Sequence, residues 1–431
     1  MREKINRVIG NNDYKEILSK GFSFLVLRLG GLLAGYIFTY LIAREYGAGV
    51  TGLVSLSFTL IMCLSIFGRL GIDVNLIPFY SDKTNHSDSG LFYKVLVKAF
   101  FVSLVLASIL FLLRRNLAID FFKKPQLEPY IFWAALTIPF WTITLVCAGL
   151  FRSFKKNSLF AFFNNPGRFL FTLVVFAGYL YISNDSLSAI KAHFYGVFIL
   201  AIVSVFLTLK QFDRPNFIPK TNSWHFLRQA FPMMLSGAII VFLGWADTFV
   251  LGIYETDETI GVYNVALKIA TLTSFSLQAI NSILAPKIAS YYKSDEIDKF
   301  KTLVKFSTRI NFMFTLFVVV GIVLFHKFLL SLFGEEFLKG ASVLILLCLG
   351  QLINSLSGSV GLILQMIGKQ KVYQNIVTIA LIINISLNFV LTPKFGAMGA
   401  AMATVASIAF WNIYGAVYLK RKENLVSYFT L

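Results

Sequence analysis

Apolar residues in this chain fall into runs of about 20, separated by short polar connectors, and the alternation repeats about twelve times. A helix rises about 1.5 Å per residue, so a run of that length matches the hydrocarbon thickness of a bilayer. We read the runs at 22–43, 53–70, 95–113, 131–150, 165–183, 190–209, 228–250, 261–284, 307–325, 341–366, 373–392 and 397–419. The pattern predicts an all-α polytopic membrane protein of about twelve transmembrane helices.

Composition excludes the alternative of a soluble protein. The 431 residues are 57% hydrophobic and only 14% charged, with mean hydropathy +0.73, whereas a soluble chain of this length would be two or three domains with polar surfaces. The opening segment MREKINRVIGNNDYKEILSK is polar and lacks the apolar core and cleavage site of a signal peptide, so the first run is expected to be a retained anchor. Cys63, Cys147 and Cys348 all fall inside apolar runs at no metal-like spacing and read as buried small hydrophobes.

A net charge of +18 raises nucleic acid as a partner, but the placement of the bases argues against it. With the N-terminus cytoplasmic, connectors on that side hold roughly 28 of the 39 Lys and Arg, and the opposite connectors roughly 9. The inner set includes Arg2, Lys4, Arg7, Lys15 and Lys20, then Arg152, Lys155 and Lys156, then Lys287, Lys293, Lys299, Lys301 and Lys305, and finally Lys420, Arg421 and Lys422. The outer connector YETDETIG has no base. The basicity therefore reads as topology and lipid-headgroup contact, with no nucleic acid and with both termini cytoplasmic.

The two halves of the sequence match. Gly52 opens GLVSLSFTLIMCLSIFGRLGIDVNLIPFY and Gly261 opens GVYNVALKIATLTSFSLQAINSILAPKIASYY, each running through one span to a proline (Pro78, Pro286) and a tyrosine (Tyr80, Tyr291). LLRRNLAIDFF resembles LFHKFLLSLFG, and LFRSFKKNSLF matches LQMIGKQKVYQ; the offsets of about 209, 212 and 214 grow smoothly, as small insertions require. An offset of six spans keeps both halves in one orientation, a parallel repeat about an axis along the membrane normal. The expected organisation is a six-helix lobe over 1–212, a cytoplasmic linker over 213–220 carrying Pro215 and Pro219, and a second six-helix lobe over 221–431.

Catalytic signatures are missing. His86, His193, His225 and His326 fall in connectors or at span edges without Cys, Asp or Glu at metal spacing, so neither a metal nor a cofactor is expected. There is no GxxxxGK[ST] loop and no GxSxG. The paired carboxylates, Glu335–Glu336 and the ETDE run at 255–258, lie in outer connectors and read as solvated surface. Gly31 and Gly35 form a GxxxG spacing suited to close helix packing. Pro139, Pro166, Pro232 and Pro286 lie in or at the ends of spans, where proline bends a helix or frees a carbonyl.

Charges inside spans carry more information, because a charge in the hydrocarbon costs roughly 2.5–3.5 kcal/mol even on the lenient insertion scale. Arg28 lies about 10 Å from the cytoplasmic end of the first run, from where it either snorkels or faces a wet interior. Lys268 is at similar depth from the outer end of its own run. Arg69 ends the second run, and Arg152 and Arg168 flank the basic turn after the fourth. If Arg28 and Lys268 face inward, these cations line a central cavity that favours an anionic cargo, phosphate foremost. Asp247, in GWADTFVLG, is the one acid clearly within a span. Three roles are open to it: partner of Lys268, neutraliser of Arg28, or a group reaching the outer interface.

The first span leading into LIAREYGAGVTGLVSLS and GRLGIDVNLIPFY resembles the opening of Wzx-type polysaccharide flippases. WADTFVLGIYETDETIGVYNVALKIA with INSILAPKIASYY is similar to that family's seventh and eighth helices, and LILQMIGKQK with NISLNFVLTPKFGAMGAAMAT to its Asn-rich helix, Pro-x-x-Gly turn and small-residue ending. The resemblance covers almost the whole chain and points to the multidrug/oligosaccharidyl-lipid/polysaccharide exporter superfamily. It implies a V-shaped, MATE-like arrangement of two parallel six-helix lobes in a cell's inner membrane. It also implies alternating-access transfer of a polyprenyl-pyrophosphate-linked oligosaccharide to the outer leaflet. Arg28 and Lys268 would be cavity cations, with Asp247 as charge partner or coupling group. Implied partners are the lipid-linked glycan, membrane lipids, and the polysaccharide polymerase with its chain-length machinery. Within the superfamily, a cation-coupled drug or metabolite exporter and a peptidoglycan-precursor flippase are the alternatives, and scarce in-span acids disfavour the exporter. A membrane glycosyl ligase or polymerase is a third class. Such enzymes place catalytic residues in a large outer loop, and the longest outer connector here, about 114–130, is too short for one.

Overall fold

The computed structural model describes residues 12–164, 166–182, 185–212 and 216–430; Arg2, Lys4, Arg7 and Pro215 lie outside the described residues, as do the side chains of Lys15, Lys20 and Arg28. Among the described residues there is no β-strand, and nine helices are long and apolar enough to cross a membrane. Two of the nine exceed a single crossing. Helices α1 (Asn12–Gly68) and α15 (Gln370–Glu423) contain 57 and 54 residues, each far longer than the roughly 20 that span a bilayer. Each breaks at a glycine in a backbone conformation that other residues rarely adopt, Gly47 at φ +78° and Gly396 at φ +58°. Helices α5 (Asn157–Asn164) and α6 (Pro166–Ile182), bent by 50° between them, are together long and apolar enough for one more crossing.

The remaining spans are α3 (Ser89–Leu112), after the short α2 (Ile72–Ser81), then α4 (Glu128–Ser153), α7 (Ser188–Leu209) and α8 (Ser223–Tyr254). Next come α9 (Asp257–Thr271), a 3₁₀ turn Leu272–Ser274, α10 (Phe275–Lys293) and α11 (Ile297–Leu324). The short α12 (His326–Ser331) precedes α13 (Ala341–Ser357) and α14 (Val360–Met366). The described residues of the twelve apolar runs lie almost wholly on these helices, and the expected all-α polytopic fold holds. Several helices overrun the runs. The first turns of α11 project beyond the apolar stretch, where Lys299 pairs with Glu296 at 2.8 Å. That contact holds the ammonium pKa above its ordinary value.

The chain packs as two compact units. The first runs to Phe38 and resumes over Leu60–Ala238; the second comprises Thr39–Thr59 and Ile239–Leu431. In the first unit, the Gly31 and Gly35 face packs on Pro166 and Phe169, as the GxxxG spacing predicts. Where α6 meets α7, a side chain on Gly196 would stand 2.6 Å from the amide nitrogen of Thr172. That tight crossing buries His193 completely, with Nδ1 3.3 Å from the Thr172 hydroxyl. His193 lies near the start of α7, as its place in the sequence suggests, and the packing closes over it.

Residues 216–226 pack within the first unit. The buried Asp88 carboxylate accepts from the amides of Leu91, Lys220 and Thr221, capping α3 and holding the chain that leads into α8. Asn75 donates to the carbonyl of Phe226, and the Lys98 ammonium lies 3.6 Å from the centre of the Trp224 ring.

The second unit has its own core of Leu284, Ile288, Phe300, Ile363, Leu364 and Leu419. The segment after α15 lies across α11 and α13, with Thr308 donating to the Ser427 carbonyl at 2.9 Å and Phe429 to the Leu356 carbonyl at 2.8 Å. Glu336 corrects another expectation. Its carboxylate accepts from the amide of Ala48, just after the break at Gly47. A helix start leaves backbone N–H groups without intrahelical partners, and an acid is the natural cap for them. Glu336 is therefore structural rather than merely solvated.

Candidate functional site

Asp247 is the centre of a polar cluster inside the second unit. It sits on α8 with 6% of its surface exposed. A carboxylate at such depth needs its lone pairs satisfied, and here each oxygen takes two donors. Oδ1 accepts from Asn388 at 2.7 Å and Asn384 at 3.2 Å; Oδ2 accepts from the Tyr263 hydroxyl at 2.6 Å and from the Thr404 hydroxyl.

Helical geometry explains how four distant residues meet. Asn384 and Asn388 are one turn apart on the first arm of α15, so both amides project from one face. The break at Gly396 turns the chain so that the second arm offers Thr404, with Ser407 3.5 Å from Asn384. Tyr263 reaches in from α9, completely buried. Sequence reasoning identified Asp247 but not its partners. The signal was present as an Asn-x-x-x-Asn spacing in an otherwise apolar run, read only as part of a family likeness.

The other candidates are held by separate neighbours. Lys268 is half-buried on α9, and its ammonium donates to the Thr39 hydroxyl. Asp247 itself is occupied by neutral groups. Arg69 pairs with Asp73 one turn along at 2.6 Å. Arg152 is exposed, its guanidinium 4.9 Å from the Phe160 ring centre. Arg168 is buried, 4.3 Å from the Phe169 ring and 5.2 Å from the Trp141 ring. Arg28 lies on α1 with its side chain outside the described residues. Among the described residues, no group of three or more His, Cys, Asp and Glu side chains is arranged to hold a metal.

A family model described as polysaccharide biosynthesis protein matches residues 17–292, more than half of the chain. The chain belongs to that family. A second model, MatE, matches residues 232–390, the stretch that carries Asp247, Tyr263 and both asparagines. The chain is 27% identical over 179 residues to the probable low-salt glycan biosynthesis flippase Agl15 of Haloferax volcanii, covering 41% of this chain and 38% of that protein. It is 25% identical over 398 residues to the probable lipid II flippase MurJ of Rickettsia prowazekii, covering 82% of this chain and 73% of that one. The chain spans about two fifths of the length of the first curated relatives it matches. In fold it is similar to the lipid II flippase MurJ in an inward closed conformation, with TM-score 0.74, 15% identity and coverage of 94% of this chain and 87% of that one. The kinship expected with the polysaccharide exporter superfamily holds.

Proposed function

We propose that this family member is a flippase. It moves a polyprenyl-pyrophosphate-linked oligosaccharide from the cytoplasmic to the outer leaflet of the inner membrane, for assembly of a surface polysaccharide. Alternating access through a cationic cavity carries the headgroup while the lipid tail remains in the bilayer. The observation that carries this reading is a family match over residues 17–292 joined to a mid-span lysine, Lys268, in a chain whose buried acid is bound by neutral donors. A pyrophosphate esterified at both ends is dianionic, and a fixed ammonium at membrane depth offers it charge where water is scarce. Arg28 is its counterpart in the other half, with Arg69, Arg152 and Arg168 as further basic contacts. Both termini are cytoplasmic in this reading, and the downstream partners are the polymerase and its chain-length machinery.

The Asp247 cluster favours a coupling role beside that of cargo binding. A carboxylate ringed by hydroxyls and by amides that can turn their oxygens inward suits a proton or a small monovalent cation. The same reading leaves the lipid headgroup to the basic residues.

Deleting the gene in its own host tests the function. Loss of surface polysaccharide with accumulation of its lipid-linked precursor supports the reading. Accumulation of peptidoglycan precursor instead would move the cargo to that class, and an unchanged lipid-linked pool would end the flippase proposal.

A further inference from the structure

We propose that the chain from α9 into α10 carries a ladder of uncharged hydrogen-bonding groups, Thr271, Ser274 and Gln278, that binds sugar hydroxyls of the cargo below Lys268. The inference rests on the flippase reading and assigns the neutral part of the headgroup to specific side chains.

Spacing and backbone geometry place these groups in one file. Lys268, Thr271, Ser274 and Gln278 are separated by three, three and four residues. The 3₁₀ turn Leu272–Ser274 interrupts the helix between Thr271 and Gln278. In a 3₁₀ turn side chains three apart eclipse, so the break keeps the file straight where a regular helix would rotate it. Each rung also meets the next. Thr271 donates to the Lys268 carbonyl at 2.7 Å, Ser274 to the Thr271 carbonyl at 2.8 Å, and the Gln278 amide to the Ser274 hydroxyl at 3.3 Å.

The file is accessible. Thr271 is exposed, and Lys268, Ser274 and Gln278 are half-buried, whereas Thr273 and Ser276 on the other side are buried, with Ser276 bonded to Asn311. Between 257 and 293, Leu272 is the one large apolar side chain exposed among the described residues. The next span, α11, exposes Phe306, Ile310, Met313, Phe314 and Phe317. One span thus presents lipid-compatible surface, and its neighbour presents hydroxyls and an amide. Irregular backbone with exposed polar groups at membrane depth is tolerated where it meets water, not acyl chains.

The chemistry then selects the ligand. A file of groups that both donate and accept, about 5 Å from rung to rung, matches successive hydroxyls of a pyranose better than it matches phosphate, which wants only donors. Phosphate falls to Lys268 at the head of the file. The ladder therefore reads sugars, and the lysine reads charge.

Two measurements test this. Single cysteines replace Thr271, Ser274, Gln278, buried Thr273 and lipid-facing Phe314 in a background of Cys63→Ala, Cys147→Ala and Cys348→Ala. Open membrane fragments are treated with the charged thiol reagent methanethiosulfonate ethyltrimethylammonium. The ladder positions should react about tenfold or more faster than Phe314→Cys, because thiolate formation and reagent access both need water. Rates no faster than that control overturn the ladder. In the deletion strain, Ser274→Ala with Gln278→Leu should lower surface glycan several-fold at parental membrane abundance, since each lost contact weakens binding about fivefold. Full export by that variant, with the parent active, overturns the ladder alone; no export by the parent overturns the flippase reading beneath it.

Discussion

Gly52 and Gly261 touch backbone to backbone. A side chain on Gly52 would stand 1.9 Å from the Asp257 carbonyl oxygen, and one on Gly261 would stand 2.0 Å from the Ala48 carbonyl oxygen. The two glycines open the matched segments of the sequence halves. Any side chain here forces the segments apart. Gly52→Ala and Gly261→Ala should each destabilise the protein by about 1–3 kcal/mol, read as a lower melting midpoint in detergent. The double variant should fall short of the sum, because both changes relieve the same contact. Unchanged melting in both singles would contradict the crossing.

The Glu336 cap gives a smaller effect on the same region. Glu336→Gln keeps an acceptor for the Ala48 amide and should be nearly neutral, whereas Glu336→Ala should cost about 1 kcal/mol. Equal melting of the two variants would remove the carboxylate from its capping role.

The charge asymmetry of the connectors makes a topological prediction. Cysteines placed at 255–258 and 116–124 should react with an impermeant reagent added outside cells, and those at 155–157 and 295–299 should not. Strong outside labelling at 155–157 would invert the assignment.

Asp247 accepts four hydrogen bonds, and its role can be separated from folding. Asp247→Asn retains the volume but presents an amide to four donors, two of which must then turn away. If the group couples an ion, export should fall sharply and lose its dependence on sodium or proton gradient while abundance is kept. Intact, gradient-dependent export from Asp247→Asn would leave the cluster a purely structural one.

How far the sequence reaches is visible in these residues. The spans were legible because burial in lipid imposes a length on each apolar run, and Arg28, Lys268 and Asp247 stood out against that background. The breaks at Gly47 and Gly396 were less legible, because helix continues on both sides and only a backbone angle marks the turn. The partners of Asp247 were hidden for another reason. Tyr263, Asn384, Asn388 and Thr404 come from three separate stretches, and tertiary packing alone brings them to one carboxylate. Glu336 misled because position in a connector says little about which backbone amides a carboxylate will reach.

The central claim is that fixed cations at membrane depth carry an anionic, lipid-linked headgroup, and Arg28 and Lys268 are where it can fail. The direct measurement is surface glycan in the deletion strain complemented with Arg28→Lys, Arg28→Ala, Lys268→Ala and the double alanine variant, with membrane abundance followed in parallel. Arg28→Lys should impair export partially, because it keeps the charge and loses the planar fork that grips phosphate oxygens. Each alanine variant should impair export severely at normal abundance, since removing an intramembrane charge eases insertion. Parental glycan levels from Arg28→Ala, Lys268→Ala and their combination would contradict the account.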